Sequence, residues 1–228
     1  MRYRHHADVI AELVPLSGKR VLDVGCGDGN MTRLMTRLGA KVTGVECGAR
    51  QIAKARAAQP VGDERYVNGV AQALPAEDAS VDVVVFFNSL HHVPNEAQPA
   101  GLIEAARVLK PGGVVYVSEP MAQGSFFALC RLVDDETGVR AHAYATLRDC
   151  ARFGLTMERE ETYIHTVRQR DFASFKDRIV SANPERETLF DAHAADLEAE
   201  FRRLAQSGEG GFSFEQPIRV NLLRKTAK

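Results

Sequence analysis

A chain of 228 residues with 45% hydrophobic side chains has the material for one large core and is short for two independent domains. Its 29 Lys and Arg against 30 Asp and Glu leave a formal net charge of −1, so the composition carries no bulk attraction to nucleic acid or to an anionic membrane. Cys26, Cys47, Cys130 and Cys150 form no CxxC pair and have no histidine at ligand spacing, so neither a metal site nor a disulfide framework is expected.

A helix is predicted near residues 6–15, with Ile10, Leu13 and Val14 on one face. RVLDVG follows as a buried strand running into a glycine loop, and Met31, Leu34, Met35 and Leu38 then make an amphipathic helix stopped by Gly39. KVTGVE is a second strand ending at Glu46, and a helix with Ile52, Ala53, Ala55 and Arg56 leads to a short strand around ERYVNG. VDVVVFF lacks alternation and reads as a strand buried on both faces. It is also the longest strongly apolar run and too short to span a bilayer; the N-terminus lacks the apolar stretch of a secretory signal, and the expected setting is the cytoplasm. A helix from about Pro99 to Leu109 stops at the turn KPGG, and VVYVS is the fifth strand. Five alternations of strand and helix predict an α/β fold with a parallel sheet covered on both faces.

Beyond Glu119 the pattern changes. GSFFALCRLVDD reads as a helix, TLRDCARFG as another N-capped by Thr146 and closed by Gly154, and TMEREETYIHTV as a strand. Two helices follow, one with Phe172, Phe175 and Ile179 and a longer one from Leu189 to Leu204, so residues 171–207 look like a helical insertion. FSFEQPIRVNLL is the last strand, with Pro217 arguing against a central, fully paired position. The whole reads as one domain over residues 1–228, with an N-terminal helix segment (1–17), a core (18–120) and a second half (121–228) that carries the insertion.

The stretch VLDVGCGDGN, residues 21–30, spaces its glycines as GxGxG, whereas a dinucleotide fingerprint needs GxGxxG; Asn30 stands where the third glycine would fall. Asp23, two residues before the first glycine, would repel a pyrophosphate and favour a ligand carrying a cation. Glu46, ending the second strand, is placed to accept hydrogen bonds from ribose hydroxyls. A helix beginning near Asn30 favours a carboxylate at its N-terminus.

DVGCGDG with Glu46, then NGVAQALP, FFNSLHHVP and VLKPGGVVYVSEP, in this order and at these separations, resembles the class I S-adenosylmethionine-dependent methyltransferases of the type 11 kind. The resemblance covers about residues 18–120. It implies a Rossmann-like, mostly parallel sheet of seven strands in the order 3-2-1-4-5-7-6, helices on both faces, and an antiparallel last strand. It implies S-adenosylmethionine as cofactor, S-adenosylhomocysteine as product, and a small-molecule acceptor. Asp23, Gly25, Cys26 and Gly27 would line the methionyl end, Glu46 would hold the ribose, Cys47 would lie beside adenine, and Asn88 near the methionyl group. The residue after Gly69 is usually Asp in relatives; here it is Val70, which either packs on the adenine face or leaves Gln72 or Gln51 to supply the acceptor, with the Ala71 backbone amide reaching a ring nitrogen. One missing hydrogen bond of this kind costs about 1 kcal/mol.

Methyl transfer is an in-line displacement for which positioning and desolvation carry much of the acceleration, with a general base useful for a hydroxyl. His91 and Glu119, at the C-terminal ends of the fourth and fifth strands, are the candidate catalytic groups, with loop-fixing and capping as their structural alternatives. His5, His6, Tyr3, His142 and Tyr144 read as core or surface. Phe126, Phe127, Phe172 and Phe175 read as core packing or as the lining of an apolar pocket. Arg168, Arg170, Lys176 and Arg178 read as a solvated charge pattern or as the seat of an anionic substrate. The rival functions are a nucleic-acid methyltransferase, disfavoured by the near-neutral charge, a nicotinamide-dependent oxidoreductase, disfavoured by glycine spacing and Asp23, and a non-catalytic homologue suggested by Val70.

Overall fold

The computed structural model describes residues 1–226. In chain order its elements are β1 (Arg2–Tyr3), α1 (His6–Leu13), β2 (Arg20–Val24), α2 (Asn30–Arg37), β3 (Lys41–Glu46), α3 (Ala49–Ala57), β4 (Arg65–Asn68) and β5 (Val81–Phe87). There follow α4 (Gln98–Val108), β6 (Leu109–Pro120), α5 (Gly124–Cys130), α6 (Thr137–Arg148), β7 (Leu155–Gln169), α7 (Phe172–Ala182), α8 (Arg186–Ala192), α9 (Ala194–Leu204), β8 (Gln206–Gly208) and β9 (Gly211–Lys225). The strands form one sheet in the order β1-β7-β9-β6-β5-β2-β3-β4, with β8 paired to β9. With the short β1 and β8 set aside, the remaining seven follow the expected 3-2-1-4-5-7-6, mostly parallel with the last strand antiparallel. Those two additions are too short, at two and three residues, to leave a periodic signal.

The chain divides into two compact units: residues 6–119, 141–161 and 219–228 in one, residues 1–5, 120–140 and 162–218 in the other. In the first, β2 pairs in parallel with β3 and β5, β3 with β4, and β5 with β6. Leu22, Val24, Val84, Phe86, Val115 and Val117 on one face of that sheet pack with Leu102 and Ala105 of α4 and Leu147 of α6. The period of two along β2 puts Asp23 on the opposite face. The second unit is built around Phe175, Phe190, Phe201 and Phe214, all buried, with Phe126, Phe172 and Phe212 packed against them. Each buried phenylalanine contributes roughly 1.5–3 kcal/mol of apolar burial.

Three local expectations change. Thr146 caps no helix: it lies in the last turn of α6 and its hydroxyl donates to the His142 carbonyl, while a 3₁₀ turn, Cys150–Phe153, carries the chain to Gly154. The insertion holds three helices rather than two, because the chain leaves helical geometry at His193 between α8 and α9. Pro217 stands inside an interior strand; β6 has ended at Pro120, the Met121 N–H donates to the Pro217 carbonyl at 2.8 Å, and the Met121 carbonyl, which a proline cannot serve, accepts from Gln216 Nε2 at 2.9 Å. No helix among the described residues is long and apolar enough to cross a membrane.

Candidate active site

The bend after β2 needs glycine for two separate reasons. Gly25, Gly27 and Gly29 all have positive φ, at 71°, 56° and 82°. A Cβ on Gly25 would fall 2.6 Å from the Ser89 Cβ, and one on Gly29 2.6 Å from the Tyr66 hydroxyl; at Gly27 it would meet nothing within 4 Å. The outer two are therefore fixed by packing, while the middle one exposes backbone to open space. The Gly25 and Cys26 N–H groups donate to the Val45 carbonyl at 2.8 and 3.1 Å, tying the bend to β3. α2 starts at Asn30, and its N-cap, Gly29, has no side chain with which to cap it.

Glu46 is the hinge of this region. One carboxylate oxygen, Oε2, accepts from the Gly27 N–H at 2.8 Å, and the other, Oε1, accepts from the Gly48 N–H at 2.7 Å. Each oxygen retains a lone pair for a further donor. Asp23 is buried and accepts from the Thr32 hydroxyl at 2.6 Å. Burial pushes its pKa up to about 6; the Thr32 hydrogen bond lowers it and the nearby Glu46 charge raises it. An added cation beside it would offset that desolvation. Thr32 and Tyr66, which set this geometry, escaped sequence reading, since their roles depend on how α2 and β4 pack. Ser89 escaped likewise: its hydroxyl donates to the Val24 carbonyl at 2.6 Å, locking the loop after β5 to the end of β2.

The other expected contacts divide. Cys26 is buried, and a Cβ on Gly44 would lie 2.7 Å from its sulfur, so its side chain turns toward β3 and its backbone faces the bend. Its thiol is pushed up by burial and by the Asp23 and Glu46 charges, so it stays protonated. Cys47 and Gln72 are exposed, and Val70 is 39% exposed, a large apolar surface left open just after β4. Ala71 packs its methyl toward Gly101 of α4. Asn88 is exposed and holds φ at 51°, a left-handed conformation that a non-glycine residue rarely adopts.

His91 and Glu119 come together as a buried pair, 3% and 9% exposed, with the His91 Nδ1 against Glu119 Oε2. The other Glu119 oxygen accepts from the Ser89 and Leu90 N–H groups at 3.2 and 2.9 Å. Glu119 thus caps the short turn after β5 and orients the imidazole at once. Of the residues read as core or surface, His6 meets the Phe87 ring edge-on, Tyr144 lies under Arg219, and Tyr3 bonds to Glu215.

The parallel sheet, the glycine bend after its first long strand and the acid ending the next define a Rossmann-like class. Residues 22–117 match the family described as methyltransferase domain. Residues 22–117, under half of the chain, are thus similar to methyltransferase domains of the class I S-adenosylmethionine-dependent kind. Over 113 residues it is 42% identical to the ubiquinone biosynthesis O-methyltransferase of Paracidovorax citrulli, spanning 46% of this chain and 45% of that protein. It is 39% identical over 142 residues to the 27-O-demethylrifamycin SV methyltransferase of Amycolatopsis mediterranei, spanning 60% of this chain and 48% of that one. The chain spans about half the length of the curated relatives it matches. The YcgJ protein of Bacillus subtilis shares the fold with a TM-score of 0.64 and 19% identity, over 99% of this chain and 100% of that one.

Proposed function

We propose that the protein is an S-adenosylmethionine-dependent methyltransferase that modifies a hydroxyl of a small-molecule acceptor, working as one catalytic domain. The observation that carries this reading is the Glu46 carboxylate, held by the Gly27 and Gly48 N–H groups beneath a bend whose middle glycine opens on unfilled space. Its remaining lone pairs suit a ribose diol, and Asp23 suits a cationic amine, so the residues present fit the cofactor. At the α2 N-terminus the Asn30 N–H already donates to Asp28 Oδ1 at 3.3 Å, and Val70 offers an apolar face to adenine in place of a hydrogen bond. When bound, the cofactor supplies an electrophilic methyl group.

The chain's own contribution is to position and to move a proton. Glu119 fixes the proton on His91 Nδ1, which makes Nε2 the basic nitrogen, and we assign to it the uptake of the acceptor's hydroxyl proton. Two of the chain's relatives, a ubiquinone biosynthesis O-methyltransferase and a 27-O-demethylrifamycin SV methyltransferase, support an oxygen acceptor of small-molecule size.

The test is a screen of small-metabolite pools with methyl-labelled cofactor. Label should pass to a hydroxylated acceptor with the native chain and not with Glu46→Ala. Transfer to RNA or DNA, or stabilisation by NAD in place of S-adenosylhomocysteine, would overturn the reading.

A further inference from the structure

β3 carries a glycine in its interior, where no turn calls for one. Gly44 is in register with Asp23 of β2 on one side and Tyr66 of β4 on the other. A glycine inside a strand gives up side-chain packing and marks a place where another group passes close. Here that group is the Tyr66 ring: a Cβ on Gly44 would fall 2.9 Å from Tyr66 Cδ1. β4 lies two strands from β2, about 10 Å at ordinary strand spacing, and the ring reaches the bend after β2 by lying across Gly44. It ends against Gly29, where a Cβ would fall 2.6 Å from the hydroxyl oxygen and 2.8 Å from Cζ.

Arg33, in the first turn of α2, closes the arrangement. Its Nη1 donates to the Asp28 carbonyl at 3.0 Å and to the Tyr66 hydroxyl at 3.3 Å, and its Nη2 donates to Asn30 Oδ1 at 2.9 Å. Asn30 Nδ2 in turn donates to Asp28 Oδ2 at 3.0 Å. The bend is thereby held at two peptides, from β3 where Glu46 accepts from the Gly27 N–H and from α2 where Arg33 donates to the Asp28 carbonyl. Between those anchors lies the Gly27 α-carbon, which faces open space. Fixing one backbone residue costs about 1–2 kcal/mol, and glycine has the most freedom to lose. A bend fixed on folding spares the ligand that cost on binding.

We propose that Arg33, braced by the Tyr66 ring across Gly44, is a positioning residue of the cofactor site: it sets the glycine bend in its binding conformation before the ligand arrives, and it acts on the ligand's amino-acid end. This rests on the methyltransferase reading, with the ribose at Glu46 and the amino-acid end at the bend. The planar guanidinium is the group suited to the task, because its fork reaches three acceptors at once, whereas a lysine ammonium is a single point of donation.

The test is calorimetry on the whole chain with two probes: S-adenosylhomocysteine, and methylthioadenosine, the same nucleoside without the amino-acid end. Arg33→Met should weaken S-adenosylhomocysteine about tenfold and methylthioadenosine by less than about twofold, and Arg33→Lys should recover only part of the loss. Tyr66→Phe keeps the ring and removes the hydroxyl; it should show the same selectivity at about twofold to threefold, and it keeps the test decisive if Arg33→Met folds poorly. Arg37→Met, one turn further from the bend, should bind both probes as the native chain does. Equal weakening of both probes would mean a general loosening, and unchanged S-adenosylhomocysteine affinity in Arg33→Met would mean that the bend keeps its shape without the arginine; either result overturns the proposal alone. Native chain that holds S-adenosylhomocysteine but not methylthioadenosine would overturn the division of the ligand on which the proposal stands. No heat from the native chain with either probe would count against the methyltransferase reading itself.

Discussion

In the unit that holds the glycine bend, buried polar groups are fixed by the backbone around them: Glu46 by two N–H groups, Glu119 by two more, Ser89 by the Val24 carbonyl. In the unit built on α5 and α7–α9, the interior is an interlocking set of phenylalanine rings with centroids 5.0–6.4 Å apart, and the Arg170–Asp171 and Lys176–Asp191 pairs lie toward solvent. The first arrangement gives up stability for placed charge; the second gains stability from packing and leaves chemistry to its edges.

That contrast is sharpest in the response to truncation. Phe175→Ala removes a fully buried ring and should cost about 3–5 kcal/mol in chemical denaturation. A loss under 1 kcal/mol would mean that the ring cluster is not a packed core.

Asp23→Asn should do the opposite and stabilise the fold at neutral pH. The Asp23 pKa is about 6 in the folded chain against an ordinary 3.8, so the folded state binds the extra proton between those values. Stability from this group is full below about pH 4 and is lost as pH rises through 6, a penalty of roughly 3 kcal/mol that the neutral amide avoids. Melting temperatures of the two proteins should therefore diverge above pH 6 and converge near pH 4. Equal melting at both pH values would place Asp23 in a less desolvated setting.

Glu119→Gln keeps an acceptor for the Ser89 and Leu90 N–H groups but gives up the charge facing His91. Methyl transfer should slow by about tenfold to a hundredfold with cofactor affinity unchanged. An unchanged rate would make the pair structural. The smallest effect is expected at Val70→Asp, which on the proposed placement of the cofactor supplies an acceptor for adenine and should tighten product binding by about fivefold to tenfold.

Legibility in the sequence followed the same divide. VDVVVFF announced β5 to the residue, because a strand covered on both faces cannot alternate. The GxGxG bend and Glu46 were readable because a backbone bend and a terminal carboxylate need particular residue types at fixed spacing. What Glu46 and Glu119 grip was not readable, since the Gly27, Gly48 and Leu90 N–H groups have no side-chain signature. In the other unit, apolar spacing gave helices without their breaks, so α8 and α9 merged, and which acids Arg170 and Lys176 would meet depended on how the helices pack.

The central claim is that Asp23 and Glu46 serve a single sulfonium nucleoside. Calorimetric titration of the native chain with S-adenosylhomocysteine tests it most directly: one-to-one binding that weakens below pH 6, as Asp23 takes up a proton, is the predicted result. No heat at millimolar product, or binding indifferent to both acids, would contradict it.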